Sequence, residues 1–181
     1  KMKKITLVLS ILILIISSCS SDDNGSNSSN GSSFVSKILV DSKSFTPIEN
    51  TDDDNNIVTS YDAGINNGEA NSRTFHLFKL TSNLATSESI QISVIYPVSQ
   101  TNINGTYSLK TSDIDVNRMI QGSYTLGFNS YLFDDGSLTV VDLGNNKFKL
   151  TFNNLSAIDR FDMITQKTIT GYCEGEFIDE E

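Results

Sequence analysis

The chain has no tryptophan, one histidine, two cysteines and two prolines in 181 residues. Each scarcity excludes something. A Ser-His-Asp arrangement needs an imidazole as general base, and a zinc centre normally gathers several His or Cys ligands. One histidine and at most two thiols argue against both. The histidine, His76, lies in Thr74-Phe75-His76-Leu77-Phe78, shares a strand face with Phe78 and Leu80, and reads as a structural or surface residue. Without tryptophan, the large stacking faces common on sugar-binding platforms are missing. Positive charge is scarce too: 13 Lys and Arg stand against 22 Asp and Glu, a formal net charge of -9. Such a balance repels nucleic acid and anionic surfaces. No apolar run approaches the roughly 20 residues of a membrane-spanning helix.

What is present begins with a patterned amino terminus. Lys1, Lys3 and Lys4 precede an apolar stretch, Ile5 to Ile16, interrupted only by Thr6 and Ser10. As a helix it would span about 18 Å against about 30 Å of bilayer hydrocarbon, which suits a signal-peptide segment better than a span. The run that follows, Ile16-Ser17-Ser18-Cys19, resembles the lipobox of bacterial lipoproteins. That resemblance implies a diacylglyceryl group on the Cys19 thiol, removal of residues 1–18 and acylation of the new amino terminus. Each buried methylene contributes about 0.8 kcal/mol, so such a set of acyl chains anchors a protein stably to a membrane. Ser20, Ser21, Asp22 and Asp23 are similar to the short acidic export signal of surface-exposed lipoproteins of the Bacteroidota. They imply an outer-membrane protein facing the cell exterior. The alternatives are the inner leaflet of that membrane, or an acidic linker with no sorting role. Loss of residues 1–18 removes three lysines and no acids, leaving 10 basic and 22 acidic residues and a formal charge of -12.

Residues 19–33 comprise the lipidated cysteine and a segment of only Ser, Asp, Asn and Gly. That composition buries no apolar surface and reads as a flexible tether, with a root-mean-square reach of roughly 20 Å. Residues 34–181 are enough for one domain with a substantial core. Period-two alternation runs through them. Ile90, Ile92, Val94 and Tyr96 share one parity, as do Gly122, Tyr124, Leu126 and Phe128, and again Phe148, Leu150 and Phe152. Further strands are expected at 34–40, 57–61, 73–80, 106–110, 137–143 and 168–177, with turns at Asp134-Asp135-Gly136 and Gly144-Asn145-Asn146. No amphipathic helix longer than two turns stands out. The pattern predicts a single all-β domain, an antiparallel β-sandwich or a partly open β-barrel. Ile38-Leu39-Val40-Asp41, Gly105-Thr106-Tyr107 and Gly136-Ser137-Leu138-Thr139-Val140 resemble segments of a loose group of small Bacteroidota lipoproteins of unknown function. The likeness carries over no catalytic residue.

Candidates for chemistry are few. Cys173 shares its parity with Ile169 and Phe177, which predicts a buried, inert thiol. Asp52, Asp54 and Asn56, and again Asp113, Asp115 and Asn117, begin like calcium loops. Ile57 and Arg118 then stand where glycine is required, and Ala63 and Tyr124 where a bidentate Glu is. Glu174 and Glu176 lie two residues apart on an outward face, as a glycosidase pair could and as plain surface commonly does. Tyr61, Tyr131 and Phe161 lie near strand ends and could offer aromatic faces. No catalytic residue, metal site or cofactor is assigned. The expected function is binding or envelope structure, with a membrane reached through the lipid, a protein or glycan partner and no nucleic acid. Alternatives are a lipocalin-like barrel around a small ligand and a small glycan-acting hydrolase.

Overall fold

A computed structural model describes residues 34–47, 57–109 and 115–180. They form twelve strands: β1 (Val35–Ser36), β2 (Ile38–Val40), β3 (Lys43–Phe45), β4 (Val58–Gly64), β5 (Ala70–Lys79), β6 (Glu88–Pro97), β7 (Gly105–Ser108), β8 (Met119–Leu126), β9 (Asn129–Gly144), β10 (Lys147–Asp159), β11 (Gln166–Glu176) and β12 (Ile178–Glu180). Among the described residues helix is confined to a single turn at Ile65–Gly68 and a 3-10 turn at Leu84–Thr86. The strands hydrogen-bond as one curled mixed sheet, β12-β4-β5-β6-β8-β9-β10-β11-β2-β3, with β1 added on β11 and β7 on β9. The domain is therefore all-β and single, and a half-barrel rather than a two-sheet sandwich.

The carboxyl-terminal strand sets where this barrel opens. Phe177 alone separates β11 from β12. Its N–H donates to the Asn146 carbonyl at 2.8 Å, and the next N–H, of Ile178, donates to the Ile57 carbonyl at 2.9 Å. One continuous stretch thus lies against β10 on one side and, in parallel, against β4 on the other. That parallel pairing covers only Val58, Thr59 and Ser60. From Tyr61 to Gly64 no described strand lies on that side of β4, and the barrel has a mouth there.

Alternation decides the inner face. Phe75 and Leu77 of β5, Ile90, Ile92 and Val94 of β6, and Leu150 of β10 are fully buried. Phe75, Phe148 and Phe177 meet edge to face with ring centroids 5.1, 5.2 and 5.8 Å apart, an arrangement that favours the positive ring edge against the negative face. The barrel is thus filled by side chains under its mouth.

Two sequence expectations change. Asp134-Asp135-Gly136 is no turn: β9 runs straight through it for 16 residues. Gly136 (φ +96°) lies beside a β-bulge of β10, where an added Cβ would collide with the Asn154 carbonyl. A bulge needs the same tolerance of positive φ as a turn, so the two share residue types. The chain reverses earlier, at Gly127-Phe128, and Phe128 is 83% exposed rather than inward. The other expected turn is a two-residue β9–β10 hairpin in which Asn145 and Asn146 both have positive φ, 54° and 55°, as the right-handed strand twist requires.

Candidate functional site

Arg73 occupies an inward position. In β5 alternation puts it on the same face as Phe75 and Leu77, yet it carries a charge, which ordinarily stays outside. It pairs in register with Tyr61 of β4 and Val94 of β6. Its guanidinium carbon lies 5.4 Å from the Tyr61 ring centroid and 5.5 Å from that of Phe148. The cation therefore caps the aromatic interior at the mouth, where two ring faces offset part of its lost hydration. Its ionic contact is weak: Nη1 is 3.6 Å from the Asp179 carboxylate, beyond hydrogen-bonding range, and its side chain is 16% exposed. Nη1 is buried without a hydrogen-bond partner, and so is Oγ1 of Thr59, the register partner of Asp179.

Above this cation lies a cleft of about 380 Å³, with Tyr61, Tyr96, Asp142 and Asn145 in its walls. One wall is the segment after β6, held by a strut. Arg118 stacks on the Tyr107 ring at 4.7 Å and donates from Nη1 to Gln100 Oε1 at 2.5 Å. The Gln100 amide nitrogen in turn donates to the Asn102 carbonyl and to the Tyr107 hydroxyl, at 2.5 and 2.7 Å. Gln100 is thus spent on tying the loop to Arg118 and Tyr107. The opposite wall is the β9–β10 hairpin. There one carboxylate oxygen of Asp142 accepts from the Gly144 N–H at 2.8 Å, and the Asn104 side-chain oxygen accepts from the Asp142 N–H at 2.5 Å. Burial pushes the Tyr96 phenol above its ordinary pKa, with Arg73 opposing the shift, so this hydroxyl is protonated and neutral at neutral pH.

No family model, curated protein or solved structure matches this chain.

Two other clefts are less selective. One, about 560 Å³, opens where β8 and β9 diverge around Leu109, between Gly122 and Asp134. The other, about 510 Å³, lies between Asn66 and Asn117 beside Glu69. Among the described residues neither has a cation in its walls.

The residues singled out from the sequence do not converge on the mouth, Tyr61 excepted. Cys19, Ser20, Ser21, Asp22 and Asp23 lie outside the described residues, as do Asp52, Asp54, Asn56 and Asp113. Asn117 is engaged locally: its N–H donates to Asp115 at 2.9 Å and its amide nitrogen to Glu69 at 3.1 Å, while its amide oxygen accepts from Asn66 at 3.1 Å. Among the described residues no three His, Cys, Asp or Glu side chains are grouped to hold a metal ion. Glu174 pairs with Lys149 at 3.0 Å on the outer face, and Glu176 is exposed. His76 packs edge-on to Phe78 at 5.8 Å, and burial holds its pKa below the ordinary value against the opposing charge of Glu180. Tyr131 offers no surface face: it is buried against Tyr124, whose hydroxyl donates to Glu88 at 2.6 Å. Phe161 is 80% exposed but belongs to the β10–β11 turn, at the far end of the barrel from the mouth.

Cys173 has no exposed surface, and burial pushes its thiol pKa far up. An Ellman-type reagent should therefore modify it only as fast as the domain opens. Labelling complete within seconds in native buffer would show an accessible thiolate instead.

Arg73 escaped the sequence reading, although a signal was there. A basic residue on the core parity of a strand demands a partner or an opening, and Arg73-x-Phe75-x-Leu77 has that form.

Proposed function

We propose that this is a lipid-anchored outer-membrane protein, displayed outward, that acts by binding and not by catalysis. The observation carrying the binding half is the contrast between a barrel interior filled by Phe75, Phe148 and Phe177 and a cation-floored cleft at its mouth. A lipocalin-like mode would need the interior as its ligand chamber, and packed rings occupy it. The lipobox-like run ending at Cys19 supports the anchor, and the neighbouring Ser and Asp residues support outward display.

A second reading, a protein partner, is favoured by the other end of the barrel. Leu84, Phe128, Phe161 and Ile164 project from three turns and are 70–83% exposed. Backbone hydrogen bonds link these turns, from Gly127 to the Ser87 carbonyl at 2.8 Å and from Arg160 to the Ser130 carbonyl at 3.0 Å. Neighbouring apolar tips of this kind mark interaction surfaces.

The anchor is tested by Triton X-114 partition of the full chain produced in a bacterium with lipoprotein-processing machinery. Wild type should enter the detergent phase and Cys19→Ala the aqueous phase. Continued detergent partitioning of the variant would remove the lipoprotein reading. For the binding half, the same chain is passed over a glycan array and assayed against a panel of chromogenic hydrolase substrates. Retention without turnover is expected; turnover above a heat-killed control, with nothing retained, would put the hydrolase ahead.

A further inference from the structure

We infer that the mouth cleft takes a carboxylated sugar ring, a hexuronate, with its carboxylate on Arg73. This rests on the binding reading above and gives it a ligand class.

The charge comes first. A guanidinium offers five N–H donors, and burying one without acceptors is costly. The Arg73 side chain makes no hydrogen bond among the described residues: Nη1 is buried 3.6 Å from Asp179, and its other N–H groups, Nε and Nη2, have no protein acceptor and are the ones left for a ligand. The Tyr61 and Phe148 rings, 5.4 and 5.5 Å away, attract the cation but supply no oxygen acceptor from their faces. The group that best satisfies such a planar fork is a carboxylate, which accepts two parallel hydrogen bonds.

The walls narrow the class. The side-chain amides of Asn145 and Asn146, the amide nitrogen of Asn102 and the hydroxyls of Tyr61 and Tyr96 line the cleft and have no protein partner among the described residues. They are neutral donors and acceptors suited to hydroxyl groups. Tyr61 is 46% exposed and offers a ring for a sugar face. Asp142 excludes the more highly charged anions. One of its oxygens is committed to Gly144; the other has no hydrogen-bond donor among the described residues and can accept from a sugar hydroxyl, while the charge repels a phosphate dianion more than a monoanion. About 380 Å³ is room for one ring and part of a neighbour. One carboxylate and several hydroxyls on one ring is the composition of a hexuronate.

The test uses the full-length chain in detergent micelles, with the side-chain Nε–H signal of Arg73 and a saturation-transfer experiment as readouts. Glucuronate, glucose, acetate and inorganic phosphate are titrated separately. Glucuronate should shift the Arg73 signal saturably, and each of the other three should bind at least about tenfold more weakly, the value of one charge-assisted hydrogen bond. Arg73→Gln should abolish the glucuronate signal, and Arg73→Lys should weaken it about tenfold or more by losing the fork. Should Arg73→Gln fail to fold, Tyr61→Ala at its half-exposed position decides, with a loss of about tenfold expected. Equal binding of glucose or phosphate, or glucuronate binding unchanged in Tyr61→Ala, would overturn the assignment. So would acetate binding as tightly as glucuronate, which would leave a bare carboxylate site. A different ligand retained on the array with no glucuronate shift removes the hexuronate and leaves the binding module standing, whereas turnover with nothing retained removes both.

Discussion

Phe75→Ala should destabilise the domain by about 3–5 kcal/mol, the range for removing a buried aromatic ring and leaving its volume unfilled. Phe75 is fully buried and touches Phe148 and Phe177 edge to face at 5.1 and 5.2 Å. Phe148 also lies under the Arg73 guanidinium and Phe177 joins β11 to β12. Losing the central ring therefore loosens the mouth as well as the interior. Against a typical total stability of about 5–15 kcal/mol, the variant should melt many degrees lower or fail to accumulate. Urea unfolding followed by circular dichroism measures it, with Phe128→Ala as control: that ring is 83% exposed, and its loss should fall within about 0.5 kcal/mol. A Phe75→Ala loss under about 1 kcal/mol would mean that the interior can close over the gap or was never filled, and would revive a ligand chamber inside the barrel.

Gly171→Ala should cost about 2–5 kcal/mol. Gly171 (φ +95°) sits in β11 where β1 gives way to β2, and an added Cβ would drive into the Lys37 carbonyl, with Ile38 Cα at 3.3 Å. A left-handed conformation costs an L-residue about 1–2 kcal/mol, and overpacking adds about 1–3. The obstacle is backbone and cannot swing aside. Relief requires the amino-terminal strands to lift, which exposes Ile38 and Val40. Gly144→Ala separates the two contributions, because Gly144 has φ +79° but nothing within 4 Å of the added atom. It should lose only the conformational part. Equal losses in the two variants, read from their urea midpoints, would show that β1 and β2 do not depend on close approach at Gly171.

Local rules made much of this molecule legible. Alternation identifies Phe148, Leu150 and Phe152 as one buried face, because successive strand residues point to opposite sides. It also places Cys173 inside with Ile169 and Phe177, and all three are buried. The Gly144-Asn145-Asn146 hairpin is readable because few residues accept consecutive positive φ. The same rule misreads Asp134-Asp135-Gly136, since its residues serve equally in a bulge, and only the partner strand distinguishes the two. At Phe128 the parity of Tyr124 and Leu126 suggested an inward ring; Gly127 (φ +58°) turns the chain before that parity can continue.

The amino-acid sequence by itself determined the all-β class, the single domain, the inward faces of the main strands and the acidic, tryptophan-free surface. Each of these follows from residues that are neighbours along the chain or from composition. Tertiary structure decided the rest. Parallel pairing of Ile178 with Val58 joins positions 120 residues apart, and from Tyr61 onward no described strand lies on that side of β4. No local signal encodes that register, since alternation says which face a side chain takes and not which strand lies beside it. The same pairing brings Asp179 toward Arg73 without reaching hydrogen-bonding distance, so a charge on a core parity comes to lie at an opening. A half-satisfied cation at a barrel mouth is a property of three strands together, and none of them carries it alone.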